Sequence, residues 1–374
     1  MPGSLADLTI LDFSRVLAGP FATMLLGDLG AEVIKVERPG MGDDTRGWGP
    51  PFDDLGDATY FLSVNRNKRS VALDLTIAED LATARSLASN ADVLVENFRP
   101  GLLEGLGLGY EDLSKENPRL VYCSITGFGR GEGAKLPGYD LLVQALGGLM
   151  SITGPADGEP QKVGVALVDV LAGLFASVGI LAALRHRERT GEGQRVEVTL
   201  LGALLAALVN QASAYTVAGV VPERMGNQHP SIAPYELFRA AEGALVIGVG
   251  TDRQFTTLCE VIGASKLATD ARFASNAARV ENRVELREEL ETLLAREPAE
   301  AWAERLIAER VPAGVVNDLA AAFSLAQSLG FDPIVSLPRE DGSEVRLTRN
   351  PITLSETPAE YRTAPPALPR RREP

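Results

Sequence analysis

The stretch Thr9-Ile-Leu-Asp-Phe13 predicts a β-strand, and a helical pattern follows it from Gly19-Pro20 to Leu29-Gly30. A second run rich in β-branched residues, Glu32-Val-Ile-Lys-Val-Glu37, comes directly after that helix. A strand, a crossover helix and a further strand make up the repeating unit of a parallel sheet. This part of the sequence therefore predicts an α/β fold with a parallel sheet.

The same alternation of strand and helix continues over the N-terminal half of the chain. A helix is predicted at Thr76–Asn90, and further strands at Ser70–Leu75, Asp92–Glu96, Leu120–Ile125 and Arg195–Thr199. One long helix rich in Ala and Leu is predicted to follow and to end near Ala218. Such alternation is typical of Rossmann-like folds, in which ligands bind beyond the carboxyl ends of the strands. We predict a large Rossmann-like domain over residues 1–220.

A change in composition indicates a second domain. Pro222–Pro234 is rich in Pro, Gly, Asn and Gln, as is typical of a linker. A strand at Gly243–Gly250 and several helical patterns then predict a smaller α/β domain over residues 225–325. Residues 328–374 are predicted to complete the large domain, with one strand at Glu344–Leu347 and a frayed end at Pro369–Arg372.

The composition argues against several classes of function. The net charge of −14 argues against wholesale binding to nucleic acid or to an anionic membrane. Two cysteines, Cys123 and Cys259, and two histidines, His186 and His229, predict neither a disulfide framework nor a metal site. The N-terminal residues lack the pattern of a signal peptide, and the apolar run after Asp169 is short for a membrane span. We expect a cytoplasmic protein.

One carboxylate is unusual in its surroundings, because Asp169 is the only charged residue between Val163 and Leu184. Burying a carboxylate is costly unless it is hydrogen-bonded. The pattern predicts an extended segment up to Val168 and a buried helix from Val170 to Leu184, so Asp169 falls at or near a helix N-terminus. Two interpretations remain open: Asp169 is a helix cap, or it is a nucleophile that faces a cleft.

Polar side chains gather on loops at the ends of predicted strands. Asn97–Arg99 follows one strand and combines an amide, an aromatic ring and a guanidinium, which would suit an adenine beside a phosphate. Arg38 follows another strand on a glycine-rich loop, whereas Asn65–Arg69 has the pattern of a solvated turn. Arg15–Pro20 stands where a G-x-G-x-x-G motif would be, which disfavours a nicotinamide cofactor. These loops predict a local anion pocket.

A series of motifs runs in order from the first strand to about residue 365. It comprises Leu17–Pro20, Gly27–Pro39, Gly42–Arg46, Asn67–Ser70, Glu96–Gly101, Gly138–Asp140, Gly164–Asp169, Thr190–Gln194 and Val311–Gly314. The series resembles the family III CoA-transferases, which include formyl-CoA transferase and the carnitine and bile-acid CoA-transferases. The N-terminal block is similar to the succinyl-CoA:dicarboxylate (glutarate) branch. The resemblance implies the two-domain fold of that family and an interlocked homodimer.

The resemblance also implies a mechanism. Asp169 falls on the catalytic aspartate of the family, whose carboxylate attacks a donor acyl-CoA such as succinyl-CoA. An aspartyl-CoA thioester then passes CoA to a free carboxylic acid, which is a dicarboxylate in the branch named above. Coenzyme A thioesters are thus substrates, and no permanently bound cofactor or metal is expected. The helix N-terminus is expected to keep Asp169 ionised.

The same resemblance assigns the residues around the substrates. Positions that contact CoA in the family fall here on Leu17, Ala18, Arg38, Lys68, Asn97, Phe98, Arg99, Tyr139 and Asp140. Positions near the acceptor acid fall on Arg15, Arg46, Trp48, Gly248 and Gly250. Arg46 is either the partner of a distal substrate carboxylate or a surface arginine.

Three features depart from the family pattern. Gly105 and Pro137 stand where formyl-CoA transferase carries an arginine and a lysine. Phosphate contacts are therefore expected to be fewer, or to come from Arg66 or Arg69. The sequence after Ala364-Pro-Pro366 predicts no final helix.

Two alternatives to CoA transfer remain. A racemase that exchanges an α-proton with a His and an Asp shares the fold, but its histidine falls on Tyr139, and a phenol is a poor base near neutral pH. The second alternative is a CoA-binding protein without chemistry, which leaves the presence of Asp169 unexplained.

Overall fold

The computed structural model describes residues 2–369, and these form two compact units. The first unit contains residues up to 149, residues 162–220 and the chain from 332 onward. The second unit contains residues 221–331 and also 150–161, which the sequence analysis placed in the large domain. The reason is local: the Arg224 guanidinium donates to the carbonyl oxygens of Pro155 and Gly158, at 3.3 and 3.0 Å.

The first unit is built on a six-stranded parallel sheet, as the sequence predicts. The central strands are buried on both faces, because helices cover both sides of such a sheet. The strands are β1 Thr9–Asp12, β2 Glu32–Glu37, β3 Lys68–Ala72, β4 Val93–Glu96, β5 Val121–Thr126 and β6 Arg195–Thr199. In the sheet the order is β3-β2-β1-β4-β5-β6, with β1 and β4 adjacent at the point where the order reverses.

Ten helices lie between residues 18 and 218, nine of them in the first unit and the short helix at 149–152 almost entirely in the second. They are α1 Ala18–Asp28, α2 Thr59–Ser63, α3 Ala78–Asn90, α4 Leu102–Gly105, α5 Tyr110–Glu116, α6 Asp140–Leu146, α7 Leu149–Ile152, α8 Leu167–Thr190, α9 Leu200–Ala207 and α10 Val209–Ala218. The prediction of a single long helix that ends near Ala218 is wrong. It is two helices, α9 and α10, bent by 83° where Val209 takes a left-handed φ of 39° that no α-helix continues through.

The central helix of the first unit is α8, which is longer at both ends than the predicted Val170–Leu184. Val168, Ala172, Ala176 and Ile180 lie on one face of α8 and are completely buried in the main core. By length and composition α8 would also be able to cross a membrane, but this buried face packs it into the core of the unit. Its N-terminal turn reaches the carboxyl ends of the strands, where the candidate site lies.

The second unit has its own small sheet and core. Its core is formed by Phe238, Leu258, Leu290 and Trp302, all buried. The antiparallel strands are β7 Tyr235–Arg239, β8 Ala244–Gly248 and β9 Ala313–Val315, and the helices are α11 Asp252–Val261, α12 Asn276–Glu281, α13 Arg283–Leu294, α14 Ala299–Ala308 and α15 Leu319–Ser328. The predicted strand Gly243–Gly250 is therefore present, although β7 and β9 were not predicted.

The C-terminal segment returns to the first unit. Its two strands, β10 Ile334–Pro338 and β11 Glu344–Thr348, form a hairpin that packs against Phe61 and Leu62 of α2. The Arg362 guanidinium then donates to the carbonyl oxygens of Gly27 and Ala31 at the end of α1. No helix follows among the described residues up to 369, and the predicted frayed end lies mostly outside them.

Candidate active site

Asp169 occupies the first turn of α8, as predicted, but it is not the helix cap. The N-cap residue is Ala166, and Asp169 is the third residue of the helix. Its carboxylate accepts no hydrogen bond from any residue in the described range, 2–369. Instead it lines a cleft of about 120 Å³, called here the Asp169 cleft. A carboxylate that is half-buried and free of hydrogen bonds is arranged to react rather than to stabilise a backbone turn.

Loops after β4 and β5 form the walls of the Asp169 cleft. Asn97, Phe98 and Arg99 follow β4, and the loop that begins at Gly127 follows β5. Gly127 and Gly138 are so close that a Cβ added to Gly127 would lie 2.4 Å from the Gly138 Cα. Glycine at both positions therefore lets the two backbone segments meet beside the carboxylate.

The start of α1 completes the cleft through Ala18. Gly173, one helical turn after Asp169, allows α8 to approach α1 closely, since a Cβ there would lie 2.7 Å from the Ala18 carbonyl oxygen. Ala18 and Asp169 consequently line the same cleft. Leu17 is buried next to it and packs in a small cluster with Val170 and Tyr60.

The backbone at the start of α8 is held by a second carboxylate. One oxygen of Asp140, Oδ2, accepts the amides of Val168 and Asp169 at 2.8 and 3.3 Å. The other oxygen, Oδ1, accepts the Gln144 side-chain amide at 2.5 Å. The free N–H groups that a helix N-terminus offers are thus directed to Asp140 and not to the side chain of Asp169.

This arrangement alters the acidity of the site. Burial, and then the charge of Asp140, raise the pKa of Asp169 to about 7. The expectation that the helix N-terminus keeps Asp169 ionised is therefore wrong, because Asp140 already occupies the stabilising amides. Burial, followed by the charges of Asp169, Asp140 and Asp43, likewise raises the pKa of Tyr60 to about 12.

A larger cavity of about 550 Å³ lies next to the Asp169 cleft, and Phe98 lines both. Arg15 and Arg38 stand at this cavity, each bound at 2.9 Å to a different oxygen of Asp44. The Arg15 guanidinium also lies 5.1 Å from the Phe98 ring centroid. The remaining lining is mostly apolar and includes Phe13, Val36, Leu73, Leu75, Leu102 and Leu106. An apolar floor with two guanidinium groups suits a heteroaromatic ring that carries phosphates.

Side chains hold the backbone of the segment at Arg15 and Val16, between the two cavities, through hydrogen bonds. The Asn97 side chain accepts from the Arg15 amide at 2.8 Å and donates to the Arg15 carbonyl oxygen at 2.7 Å. Val16 follows with a left-handed φ of 70°, and its amide donates to the carboxylate of Asp43 at 3.3 Å. Asn97 thus positions the Arg15 turn while it also lines the Asp169 cleft.

Comparisons with known proteins agree with this geometry. The sequence model of CoA-transferase family III matches residues 5–371 of this chain. The chain belongs to this family. It is 43% identical to a succinate–glutarate CoA-transferase of Agrobacterium fabrum, covering 97% of this chain and 92% of that protein. It is 47% identical to a succinyl-CoA:glutarate CoA-transferase of Mus musculus, covering 87% of this chain and 74% of that protein. A CaiB/BaiF family structure from Brucella suis, 42% identical, has a TM-score of 0.87 over 98% of this chain and 97% of that one.

The fold and the reaction class are therefore those of a family III CoA-transferase, and the predictions of both are confirmed. The chain is an enzyme that transfers CoA, and its substrates are acyl-CoA thioesters and carboxylic acids. The site residues assigned by resemblance are not all in the same position, because the structure places only some of them at the two cavities.

Lys68 and its neighbours are not at the surface of this CoA-transferase. The Lys68 ammonium group is fully buried and donates to Asp12, Asn65 and the Pro20 carbonyl oxygen, at 3.1, 3.0 and 2.9 Å. Burial, with a smaller contribution from the charge of Lys35, lowers the pKa of Lys68 to about 8 against the opposing effect of Asp12. The prediction of a solvated turn at Asn65–Arg69 is wrong, since residues 65–68 are buried.

Two further arginines are already paired. Arg66 forms a buried salt bridge with Asp28 at 2.6 Å, and Arg69 pairs with Glu32 on the surface at 2.8 Å. Neither lines the cavity at Arg15 and Arg38, where Gly105 also lies. The structure thus gives no support to Arg66 or Arg69 as replacement phosphate ligands.

Arg46 is held by contacts within the chain and is not exposed at the surface. Its Nε and Nη2 donate to the two carboxylate oxygens of Glu37, at 2.7 and 2.8 Å. Nη2 also donates to the Pro366 carbonyl oxygen at 3.0 Å, and the guanidinium lies 3.7 Å from the Phe61 ring centroid. This placement contradicts a surface arginine and argues against a direct role as a substrate ligand.

The remaining assigned residues are spread over the chain. Tyr139 is 65% exposed, and Trp48 is 42% exposed with its ring edge-on to Tyr60 at 5.4 Å between centroids. Gly248 ends β8 and Gly250 follows it, both in the second unit. Within residues 2–369, no three His, Cys, Asp or Glu side chains are grouped as metal ligands.

Sequence reasoning missed two residues near the site. Tyr60 lies on the short helix α2, which no periodic pattern announced, and only its packing reveals that it approaches Asp169. Asp43 accepts the fully buried Lys35 ammonium group at 2.8 Å. A signal for Asp43 was available, since Lys35 stands in the middle of an apolar strand and a buried cation requires a nearby anion.

Proposed function

We propose that this enzyme moves CoA from a donor such as succinyl-CoA to a free dicarboxylic acid through an aspartyl-CoA thioester on Asp169. The observation that carries the proposal is a carboxylate without hydrogen bonds from described residues, in a cleft adjoining a cavity with two arginines. The relatives in Agrobacterium fabrum and Mus musculus are named for succinate and glutarate, which supports a dicarboxylate acceptor.

The chemistry balances without an external reagent. The Asp169 carboxylate attacks the thioester carbonyl carbon, the C–S bond breaks, and CoA leaves as a thiolate beside a mixed anhydride. The thiolate then attacks the aspartyl carbonyl carbon and releases the donor as a free carboxylate. The acceptor acid repeats these steps in reverse and leaves with CoA. Because one thioester replaces another, the enzyme needs only to lower barriers.

The two cavities suit the two parts of acyl-CoA. The cavity at Arg15 and Arg38 would hold the nucleotide, whose phosphates face guanidinium groups and whose base contacts the apolar floor. The thioester would enter the Asp169 cleft past Phe98 and Ala18. Arg99 is exposed and lines that cleft, so we assign it to the same substrate.

Trapping the intermediate tests the covalent route. The enzyme is incubated with succinyl-CoA without acceptor, treated with hydroxylamine and digested, and the peptide carrying Asp169 is measured by mass spectrometry. A hydroxamate at Asp169 is expected in the native enzyme and not in Asp169→Asn, whereas Asp157→Asn, at an exposed turn, behaves as native. Full CoA transfer by Asp169→Asn would refute the proposal.

A substrate panel tests the reaction itself. Transfer from succinyl-CoA to glutarate and related diacids should exceed transfer to monocarboxylates of equal length. The racemase alternative predicts instead that deuterium from solvent enters the α-position of a branched acyl-CoA. Neither histidine lines the Asp169 cleft within the described residues, which leaves that alternative without its usual base. A protein that only binds CoA would give neither product.

We further propose a homodimer. Helix α15 carries no buried residue; Leu319 and Leu325 on it are 79% and 49% exposed, and Leu329 directly after it is 65% exposed. Exposed apolar surface of this extent is typical of an interface. Light scattering coupled to gel filtration should give twice the mass of the chain, and a monomer at micromolar concentration would contradict the proposal.

We also propose a cytoplasmic location and a reaction that needs no bound cofactor. Both cysteines, Cys123 and Cys259, are buried and unpaired, which suits a reducing compartment. Dialysis against a chelator should leave CoA transfer unchanged, and fractionation should recover the protein with soluble markers. Loss of activity that a metal ion restores would contradict the proposal that no bound cofactor is needed.

A further inference from the structure

The contacts of Asp140 form a short chain that ends at the catalytic helix. Asp140 Oδ2 accepts the Val168 and Asp169 amides, and Oδ1 accepts the Gln144 Nε2. Gln144 Oε1 in turn accepts the amide of Val163 at 2.9 Å. Gln144 is fully buried. Each side-chain oxygen of Asp140 and Gln144 therefore accepts a hydrogen bond that helps to hold the loop and first turn carrying Asp169.

The chain of contacts has an electrostatic consequence for Asp169. The amides at a helix N-terminus stabilise a nearby negative charge, and here they stabilise the charge of Asp140. Asp169 lies on the same turn, accepts none of these hydrogen bonds within the described residues, and has a second carboxylate beside it. A simple cap would require only an oxygen acceptor, which an amide supplies as well as a carboxylate does.

We propose that Asp140 is a positioning residue whose negative charge, beyond its hydrogen bonds, disfavours the ionised form of Asp169 and thereby favours the neutral acyl adduct. The inference rests on the proposed function, because it concerns the same covalent intermediate. In the net half-reaction, the Asp169 carboxylate and an acyl-CoA give an aspartyl-CoA thioester and a free carboxylate. One negative charge therefore leaves the neighbourhood of Asp140 when the adduct forms.

The groups that face Asp169 agree with this assignment. Asp140 approaches from α6 and Tyr60 from α2, and the raised pKa of that phenol keeps it neutral. Arg99 lines the same cleft from the loop after β4 but is exposed to solvent. Asp140 is thus the anion in direct contact with the backbone of the nucleophile, and its charge is the second cause of the raised pKa of Asp169, after burial.

The decisive variant exchanges the two side chains, Asp140→Asn with Gln144→Glu. The new asparagine oxygen still accepts the Val168 and Asp169 amides, and its NH₂ group donates to the new glutamate. That glutamate also accepts the Val163 amide. All hydrogen bonds and the net charge are preserved, but the negative charge moves one hydrogen bond farther from Asp169. Asp140→Asn alone is the second variant, in which the charge is removed.

The first measurement is the pH dependence of kcat/KM. In the native enzyme the acidic limb should lie near neutral pH, because the ionised carboxylate is the nucleophile. In the exchanged variant this limb should move down by about one pH unit, and by at least as much in Asp140→Asn. If the acidic limb stays at the native pH in variants that fold, Asp140 acts only as a helix cap and the inference is overturned. A native limb at the pH of an ordinary carboxyl group would overturn it without any variant.

The second measurement is the amount of trapped adduct at a fixed ratio of succinyl-CoA to succinate. A change of one pH unit in the ionisation of Asp169 corresponds to about a tenfold change in this equilibrium, so both variants should hold about tenfold less adduct. Equal adduct in native and exchanged enzymes would refute the role of the charge. If the native enzyme forms no adduct at all, the proposed function fails instead, so the two failures are distinguishable.

Discussion

Arg46 and Glu37 form a bidentate ion pair, with Nε to Oε2 at 2.7 Å and Nη2 to Oε1 at 2.8 Å. The Glu37 carboxylate is almost completely buried and also accepts the Ser70 hydroxyl at 2.6 Å. The pair links the loop after β2 to the C-terminal segment through the Pro366 carbonyl oxygen. We therefore expect Arg46 to contribute to stability rather than to select the acceptor.

We expect Arg46→Ala to lower the free energy of unfolding by about 3 kcal/mol, because it leaves the buried Glu37 without its partner. Denaturant titration measures this loss. KM values for dicarboxylates and monocarboxylates should change by the same factor. The double variant Arg46→Met with Glu37→Gln removes both charges and should recover part of the stability. A loss confined to dicarboxylate KM values would instead make Arg46 a substrate ligand.

Arg38 offers a test of the nucleotide cavity. It is exposed, lines the larger cavity and shares Asp44 with Arg15. Arg38→Ala should raise KM for succinyl-CoA about tenfold, as expected for one charged contact to phosphate, and leave kcat nearly unchanged. Arg69→Ala is the matched control, because Arg69 is equally exposed and paired but lies outside the cavity. Equal KM values for the two variants would place the nucleotide elsewhere.

The parallel sheet was predictable because its signal is local. Most strands of the parallel sheet are short runs rich in β-branched residues, and the predicted bounds of all six differ from those observed by at most three residues at either end. The bend between α9 and α10 was not predictable in this way. Both helices are apolar, and the break depends on the backbone conformation of Val209, which periodicity does not encode.

The residue types of the site were predictable from the sequence, but the roles of these residues were predictable only in part. Asp169 was identified because it interrupts an apolar run, and Arg38 and Phe98 because they follow strands. Lys68, Asn97 and Arg46 carry the right chemistry, yet the fold directs them to Asp12, Arg15 and Glu37. Such pairings join residues far apart in sequence, so they become visible only when the chain is folded.

Gly173 tests the link between packing and catalysis. A Cβ at Gly173 would lie 2.7 Å from the Ala18 carbonyl oxygen, a backbone atom that cannot move aside, so Gly173→Ala should displace α8 and Asp169 from α1. We expect kcat to fall by on the order of 10²-fold, the typical effect of a misplacement near 1 Å.

Gly179→Ala, on the same helix, is the control for Gly173→Ala. A Cβ at Gly179 would meet the Val196 side chain at 2.7 Å, which can adjust, and alanine favours the helix at both positions. Gly179→Ala should therefore retain most of the activity. Similar kcat values for the two variants would show that the close approach of α8 to α1 does not position Asp169.

The raised pKa of Asp169 also has a cost in stability. In the unfolded chain the carboxyl ionises near its ordinary pKa of 3.8, whereas in the folded enzyme its pKa is about 7. Between these values the folded state binds more protons than the unfolded state, so the free energy of unfolding falls as the pH rises. Above about pH 7 the carboxylate is ionised in both states, and the free energy of unfolding falls no further on its account.

Asp169→Asn removes this titration and should stabilise the enzyme while abolishing CoA transfer. The gain in the free energy of unfolding over native should grow from about pH 4 to about pH 7 and then stay level, reaching on the order of 1–2 kcal/mol after allowance for solvent. Thermal and denaturant unfolding at about pH 5 and about pH 8 measure the gain, with Asp157→Asn as the exposed control. A gain independent of pH would mean that the Asp169 carboxyl ionises in the folded enzyme as it does in the unfolded chain, and the electrostatic account of the nucleophile would then be wrong.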